Sequence, residues 1–426
     1  MTILDDLRWR GLLADCTDES ALAERLARGP ITLYCGFDPT ADSLHVGNLV
    51  PLLALRRFQN QGHHPIALAG GATGMIGDPS GKSSERNLQT PEQVAHNIAS
   101  IKAQLGRFLD FEVKTNPARL VNNGDWTAPV SYLEFLRDVG KHFTINWMVA
   151  KDSVRSRMES DTGISYTEFS YMLLQAYDYL HLHRTLGVSV QMAGSDQYGN
   201  IVSGIDLIHR ALGHDREVYG VTAPLLMKSD GKKLGKSEKG AIWLSADRTS
   251  PYAFYQYWIN TEDADVVQFL KWFTFLREAE IADFADQHAK APEQRAAHRE
   301  LARQMTRTIH GESEVAKVEA ASKALFEGDV RSLPEDMLRD VFADVPHSKH
   351  DKNSLAGAGA SLVDVLAETT LATSKREARQ FLQSGAVSVN GDKAGVDARL
   401  TSEHLLYGHT ILLKRGKKLW HATRWA

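Results

Sequence analysis

Short apolar runs at 31–37, 65–69, 119–121, 189–193 and 218–223 alternate with segments of helical periodicity at 51–61, 91–109, 131–139, 165–183 and 198–212. Runs of that length between amphipathic stretches predict buried strands joined by helices, and so an α/β fold around a mostly parallel, doubly wound sheet. Residues 143–161 break the rhythm with charges and apolar side chains placed as if exposed, which marks an insertion inside a wider region 126–161. From about residue 251 helical patterns dominate up to 345, and a small α+β pattern fills 361–426.

Domain bounds follow from these changes: 1–222 for the sheet domain, 223–345 for a helical domain, 346–360 for a linker and 361–426 for a terminal module. The linker is read from a polar stretch at 349–354 that runs into Gly357-Ala358-Gly359-Ala360, with little to bury. A chain of 426 residues, 43% hydrophobic, has ample apolar content for such cores. No apolar run approaches the roughly 18 residues of a membrane helix, and the first residues carry Asp5 and Asp6 without a secretory pattern, so a cytoplasmic protein is expected. Cys16 and Cys35 are too few for a disulfide framework and lack metal-ligand spacing.

Net charge sharpens the division. The whole chain carries −4, yet residues 361–426 hold ten Lys/Arg against six Asp/Glu. The basic module is therefore the tail, where the helical run Ser374-Lys375-Arg376-Glu377-Ala378-Arg379 groups Lys375, Arg376 and Arg379. Such grouping suits RNA phosphates, although a charged helix face is commonly just solvated.

Two separated motifs carry the chemistry. Asp38-Pro39-Thr40-Ala41-Asp42-Ser43-Leu44-His45-Val46-Gly47-Asn48 joins the strand at 31–37 to the next helical pattern. Unpaired backbone N–H groups and the positive helix end favour a phosphate there, and glycine permits its close approach. The second motif, Lys233-Leu234-Gly235-Lys236-Ser237, sets two lysines three apart in a polar stretch that reads as a mobile phosphate clamp. A third string, Gly77-Asp78-Pro79-Ser80-Gly81-Lys82-Ser83, has three residues between its glycines where a P-loop needs four, which argues against a P-loop NTPase. Its glycines still imply a sharp loop at the carboxyl end of a strand, where ligands of open α/β sheets bind.

Residues 167–181 are apolar or aromatic on nearly every side, except that Tyr171, Gln175 and Asp178 fall at i, i+4 and i+7 on one face. That face is either a solvated stripe or the lining of a pocket. The apolarity of the remaining surface favours the pocket.

Taken in order, Tyr34-Cys35-Gly36-Phe37-Asp38-Pro39-Thr40, Gly77-Asp78-Pro79-Ser80-Gly81, Tyr171-x3-Gln175-x2-Asp178 and Gly194-Ser195-Asp196-Gln197-Tyr198-Gly199-Asn200 resemble the bacterial-type tyrosyl-tRNA synthetases, of class I, over essentially the full chain. The resemblance implies a Rossmann-like catalytic domain, a helical domain and a small C-terminal α+β RNA-binding domain. It implies ATP-dependent activation of L-tyrosine to tyrosyl-adenylate, then transfer to tRNA(Tyr). By position, Tyr34 and Asp178 would hold the phenol, Asp78, Tyr171 and Gln175 the ammonium, and Gln197 would lie near the carboxylate. Cys35, Gly36, Gly194 and Asp196 would line ribose and adenine, with Asp38, Gly47 and Asn48 also on the nucleotide side. Thr40, His45, Lys233 and Lys236 would meet the phosphates. Lys82 and Arg86, with Lys375, Arg376 and Arg379, would contact tRNA. Mg2+ is expected to travel with ATP, with no protein-held metal or organic cofactor, and a homodimer is expected through the insertion.

One departure is Asn48, where many relatives have a second histidine; another is Leu234-Gly235 between the lysines. Three rival readings share part of this pattern: a tryptophanyl-tRNA synthetase, a simple nucleotidylyltransferase and a non-catalytic RNA-binding derivative. An indole has no use for a Tyr34 and Asp178 pair, a nucleotidylyltransferase has none for the amino-acid pocket or the tail, and His45, Lys233 and Lys236 are intact.

Overall fold

A computed structural model describes residues 2–80, 89–160, 163–225, 227, 229, 231, 234, 236, 237, 240–327, 329–343, 345–416 and 419–426. Six strands form its main sheet: β1 (Asp15–Cys16), β2 (Thr32–Phe37), β3 (His64–Ala69), β4 (Arg119–Asn122), β5 (Val188–Gly194) and β6 (Tyr219–Ala223). Their order is β1-β6-β5-β2-β3-β4, parallel throughout except for the antiparallel pairing of β1 with β6. Sequence periodicity predicts five of these strands; β1 is too short to show a pattern. Winding reverses between β2 and β5, so the crevice at their carboxyl ends is the expected ligand site of such a sheet.

Two local features fix the helix that crosses this crevice, Tyr166–Leu186. Ser165 accepts from the Glu168 N–H at its start, and Gly187 ends it with φ +65°. Tyr179 is fully buried and donates to the Ser189 and Tyr219 carbonyls, which ties the helix to β5 and β6. The region between β4 and this helix folds as the short helices Gly124–Thr127, Tyr132–Asp138, Ile145–Val149 and Asp152–Met158. Arg157 and Glu168, both nearly inaccessible, pair at 2.8 Å and anchor the last of them.

The chain divides into two compact units, 1–249 with 258–309, and 250–257 with 310–426. Helix Val266–Phe273 thus belongs with the sheet, as do the residues up to 309. Buried Arg10 and Arg57 explain this, because they donate to the Lys271, Thr274 and Leu276 carbonyls near the end of that helix. Among the described residues no helix is long and apolar enough to cross a membrane.

In the second unit, a five-stranded sheet runs in the order Asp392–Lys393, Val387–Val389, Thr410–Arg415, Leu419–Trp425, His347–His350. The expected linker at 346–360 is corrected here: His347–His350 pairs in parallel with Leu419–Trp425. Its polarity reflects an edge position, where a strand needs few apolar side chains. Hydrogen bonding also joins 330–342 to the tail, through Tyr407 to the Leu333 carbonyl and an Arg331–Asp392 pair at 2.7 Å.

Candidate active site

Backbone turns at the carboxyl ends of β2, β3, β4 and β5 converge on one polar network. Asp38, just after β2, accepts from Thr73 at 3.0 Å and from the Tyr171 hydroxyl at 3.2 Å. Thr73 in turn accepts from Asn123 Nδ2 at 3.0 Å, and the same amide donates to Asp178 Oδ2 at 2.9 Å. Trp126 Nε1 donates to the other Asp178 oxygen at 2.8 Å.

Burial pushes the Asp178 carboxyl up to about 7, against the pull of the Asn123 and Trp126 donors, and the Asp38 charge adds to the rise. Tyr34 is 1% exposed, and its hydroxyl has no hydrogen-bond partner among the described residues. Burial first, and the Asp178 charge second, hold its phenol well above the usual range. A hydroxyl and a carboxylate therefore share one desolvated region.

A second limb of the network begins at Asp78, whose Oδ1 accepts from the Ser80 N–H and whose Oδ2 accepts from Gln197 at 2.6 Å. Asn200 donates to Gln175 Oε1 and to Gln197 Oε1, each at 3.1 Å. Asp78, Gln175 and Gln197, singled out separately in the sequence, are thus joined in space. Beside them opens a cleft of about 900 Å³ whose lining includes Pro79, Lys151, Ser195, Asp196 and Tyr198.

The first motif forms the turn its sequence predicts. His45 caps the short helix Val46–Asn48, its Nδ1 accepting from the Gly47 N–H at 3.0 Å, while Asn48 Oδ1 accepts from the His45 N–H at 3.0 Å. Asn48 consequently holds the backbone of His45. A Cβ on Gly47 would sit 2.8 Å from the His45 ring, so glycine is required by that ring. The stretch following the lysine motif lies alongside: Val46 donates to the Ile242 carbonyl, and the His45 and Trp243 rings meet edge to face at 6.0 Å.

Gly36 is exposed on β2, whereas the Cys35 thiol beside it is buried and pushed up to about 12 by that burial. Thr40 and Asp196 are exposed; Gly194 packs so closely on Asp196 that a Cβ there would lie 2.6 Å from its Oδ1. Lys82, Arg86 and Lys233 lie outside the described residues, as does the side chain of Lys236, whose backbone pairs with Ala241. In the tail, Arg376 and Arg379 are exposed, and Lys375 pairs with Asp364 at 2.8 Å.

Sequence reasoning missed Asn123 and Trp126, and assigned no role to Asn200 within its motif. The turn Asn122-Asn123-Gly124 at the carboxyl end of β4 was the available signal, since that edge carries ligands.

Known proteins match both parts of the chain. The family described as tRNA synthetases class I (W and Y) matches residues 26–327, and the tyrosine–tRNA ligase SYY-like C-terminal domain matches 337–423. The tyrosine–tRNA ligase of Opitutus terrae is 57% identical over 98% of each chain, and that of Geobacillus kaustophilus 52% over all of both. Among solved structures, a C-terminally truncated mitochondrial tyrosyl-tRNA synthetase of Aspergillus nidulans is similar with a TM-score of 0.70 and 32% identity, covering 76% of this chain and 94% of that one. With both parts of the chain matched and relatives aligned from end to end, the protein belongs to the class I tyrosyl-tRNA synthetase family.

Proposed function

We propose that the protein activates L-tyrosine with ATP and transfers it to tRNA(Tyr), using the converging network as its amino-acid pocket. The observation that carries this reading is the buried Tyr34 hydroxyl in the same desolvated region as Asp178. A phenol can donate to Asp178 and accept from Tyr34. Phenylalanine would leave the Tyr34 hydroxyl buried without a partner and deny Asp178 its phenol donor, and that penalty is the source of rejection; tyrosyl-tRNA synthetase is itself the standard example of such discrimination.

Asp78, with Tyr171 and Gln175, supplies a carboxylate and neutral oxygens for the ammonium, and Gln197 stands nearby for the carboxylate. On the nucleotide side, Cys35, Gly36, Gly194 and Asp196 follow ribose and adenine along β2 and β5, with Asp196 accepting from ribose hydroxyls. Asp38, Gly47 and Asn48 shape the turn. Thr40, His45, Lys233 and Lys236 meet the phosphates of ATP, which enters with Mg2+ as substrate. Tyrosine carboxylate attacks the α-phosphorus and pyrophosphate leaves; donors and cations placed where charge develops lower that barrier.

The tRNA grip rests on Lys375, Arg376 and Arg379 in the tail and on Lys82 and Arg86 in the catalytic part. The expected tail module extends back to residue 347 on the strength of its strand pairing. Exposed apolar side chains of the insertion and the adjoining helix start, Tyr132, Leu133 at 76%, Ile145, Met158 and Tyr166, support a homodimer contact there. A cytoplasmic location fits the reaction.

Amino-acid-dependent exchange of labelled pyrophosphate into ATP, without tRNA, tests the reading. Exchange with tyrosine alone is expected. Exchange with tryptophan instead would sink the assignment of Tyr34 and Asp178, and no exchange with any amino acid would favour an RNA-binding role without catalysis.

A further inference from the structure

Away from the catalytic network, three segments of the first unit bring imidazoles and a carboxylate together. Asp263 lies in the loop before helix Val266–Phe273, His288 in the last turn of helix Glu278–Lys290, and His298 in the first turn of helix Ala296–His310. Each can offer one donor atom within 4.8 Å of the other two. His298 Nε2 lies 3.2 Å from Asp263 Oδ1, and the two imidazole rings meet edge to face at 5.3 Å.

Burial makes this cluster unlike an ordinary surface histidine pair. His298 is 0% exposed. Two polar neighbours, Asp263 and the Thr261 backbone, lie beside it, yet neither of its ring nitrogens has a partner of good hydrogen-bond geometry among the described residues. His288 Nδ1 is likewise buried without one. Leaving a buried donor or acceptor unmade costs about 1–3 kcal/mol, so nearby unsatisfied imidazole nitrogens demand compensation.

We propose that Asp263, His288 and His298 bind a divalent transition ion of the zinc class. Two imidazole nitrogens and a carboxylate oxygen are borderline donors that suit such an ion rather than magnesium or calcium. Tetrahedral bonds of about 2.0–2.2 Å place donors about 3.3 Å apart. The His298–Asp263 separation already matches, and His288 needs a small side-chain movement to join. Asp263 is 62% exposed, which leaves an entry path and a solvent position for a fourth ligand. The Arg295 guanidinium, 4.0 Å from the same Asp263 oxygen, is the competing cation; it donates to the Ile259 and Thr261 carbonyls, which hold it beside Asp263 rather than on it. The ion would fasten a loop and two helices, and no reacting group of the active site touches it.

Chelator-stripped, untagged full-length protein titrated with Co2+ tests the site. One equivalent per chain is expected, with the visible bands of a four-coordinate ion, and with apparent Kd raised at least about tenfold in Asp263→Ala and in His288→Ala. Zn2+ should raise the melting temperature of the unaltered protein and leave those of the variants unchanged. No saturable band in the unaltered protein, or equal uptake by it and by Asp263→Ala, overturns the proposal. Because Asp263 is exposed, its variant decides the matter even where His288→Ala fails to fold.

Discussion

Asn123 donates one amide hydrogen to Asp178 and the other to Thr73, so a single side chain couples the deepest carboxylate of the pocket to the Asp38 turn. Replacing it by alanine removes a hydrogen bond to a charged group, a loss of about 1.5–3 kcal/mol. Asn123→Ala should raise the KM for tyrosine about 10–100-fold in pyrophosphate exchange, and Trp126→Phe should act similarly. An unchanged KM in both would remove them from the support of Asp178.

Tyrosine binding should depend on pH through the same carboxyl. In the free protein Asp178 titrates near 7 because it is buried. A bound phenol donates to the ionised form only, so below about 7 binding must first expel a proton. Affinity therefore falls as pH drops, approaching about tenfold per unit, and levels off above 7. Equilibrium dialysis from pH 5.5 to 8.5 measures this; a flat profile would contradict the assignment, and Asp178→Asn should abolish the slope.

Gly47→Ala should damage chemistry more than binding. The added methyl would meet the His45 ring at 2.8 Å, and displacing a phosphate-facing group by about 1 Å can cost about 10²-fold in rate. Stopped-flow adenylate formation should show a lower rate with tyrosine affinity unaltered.

Glu168→Gln should destabilise the fold by about 3–5 kcal/mol, because it removes the carboxylate that neutralises the buried Arg157 guanidinium. Replacing both residues by Met and Leu should recover most of that loss. Urea unfolding of the single and double variants separates a buried-charge penalty from simple lost packing.

Leu133→Lys combined with Ile145→Lys places charge on the exposed apolar surface of the insertion. Sedimentation should give twice 47.3 kDa for the unaltered chain and one chain mass for the variant. A single-chain species in both would remove the dimer contact from this surface.

Much of the sheet and pocket is legible in the sequence because local periodicity encodes it. Tyr171, Gln175 and Asp178 share a helix face by spacing alone, and five parallel strands announce themselves as apolar runs. Asn123 and Trp126 are not legible in that way, since they reach Asp178 across more than fifty residues of sequence and no periodic rule links them. His347–His350 reads as a linker because an edge strand needs no alternating apolar face. Cys16 is likewise hidden, in a two-residue strand whose register depends wholly on β6.

The pairing of His347–His350 with Leu419–Trp425 also determines where this molecule can be cut. A chain ending at residue 360 would keep the first strand and discard its hydrogen-bonding neighbour, baring main-chain groups that invite association with other chains. A cut before residue 346 removes the sheet as one piece. Loss of activity in the longer fragment alone would then report aggregation rather than a missing RNA contact.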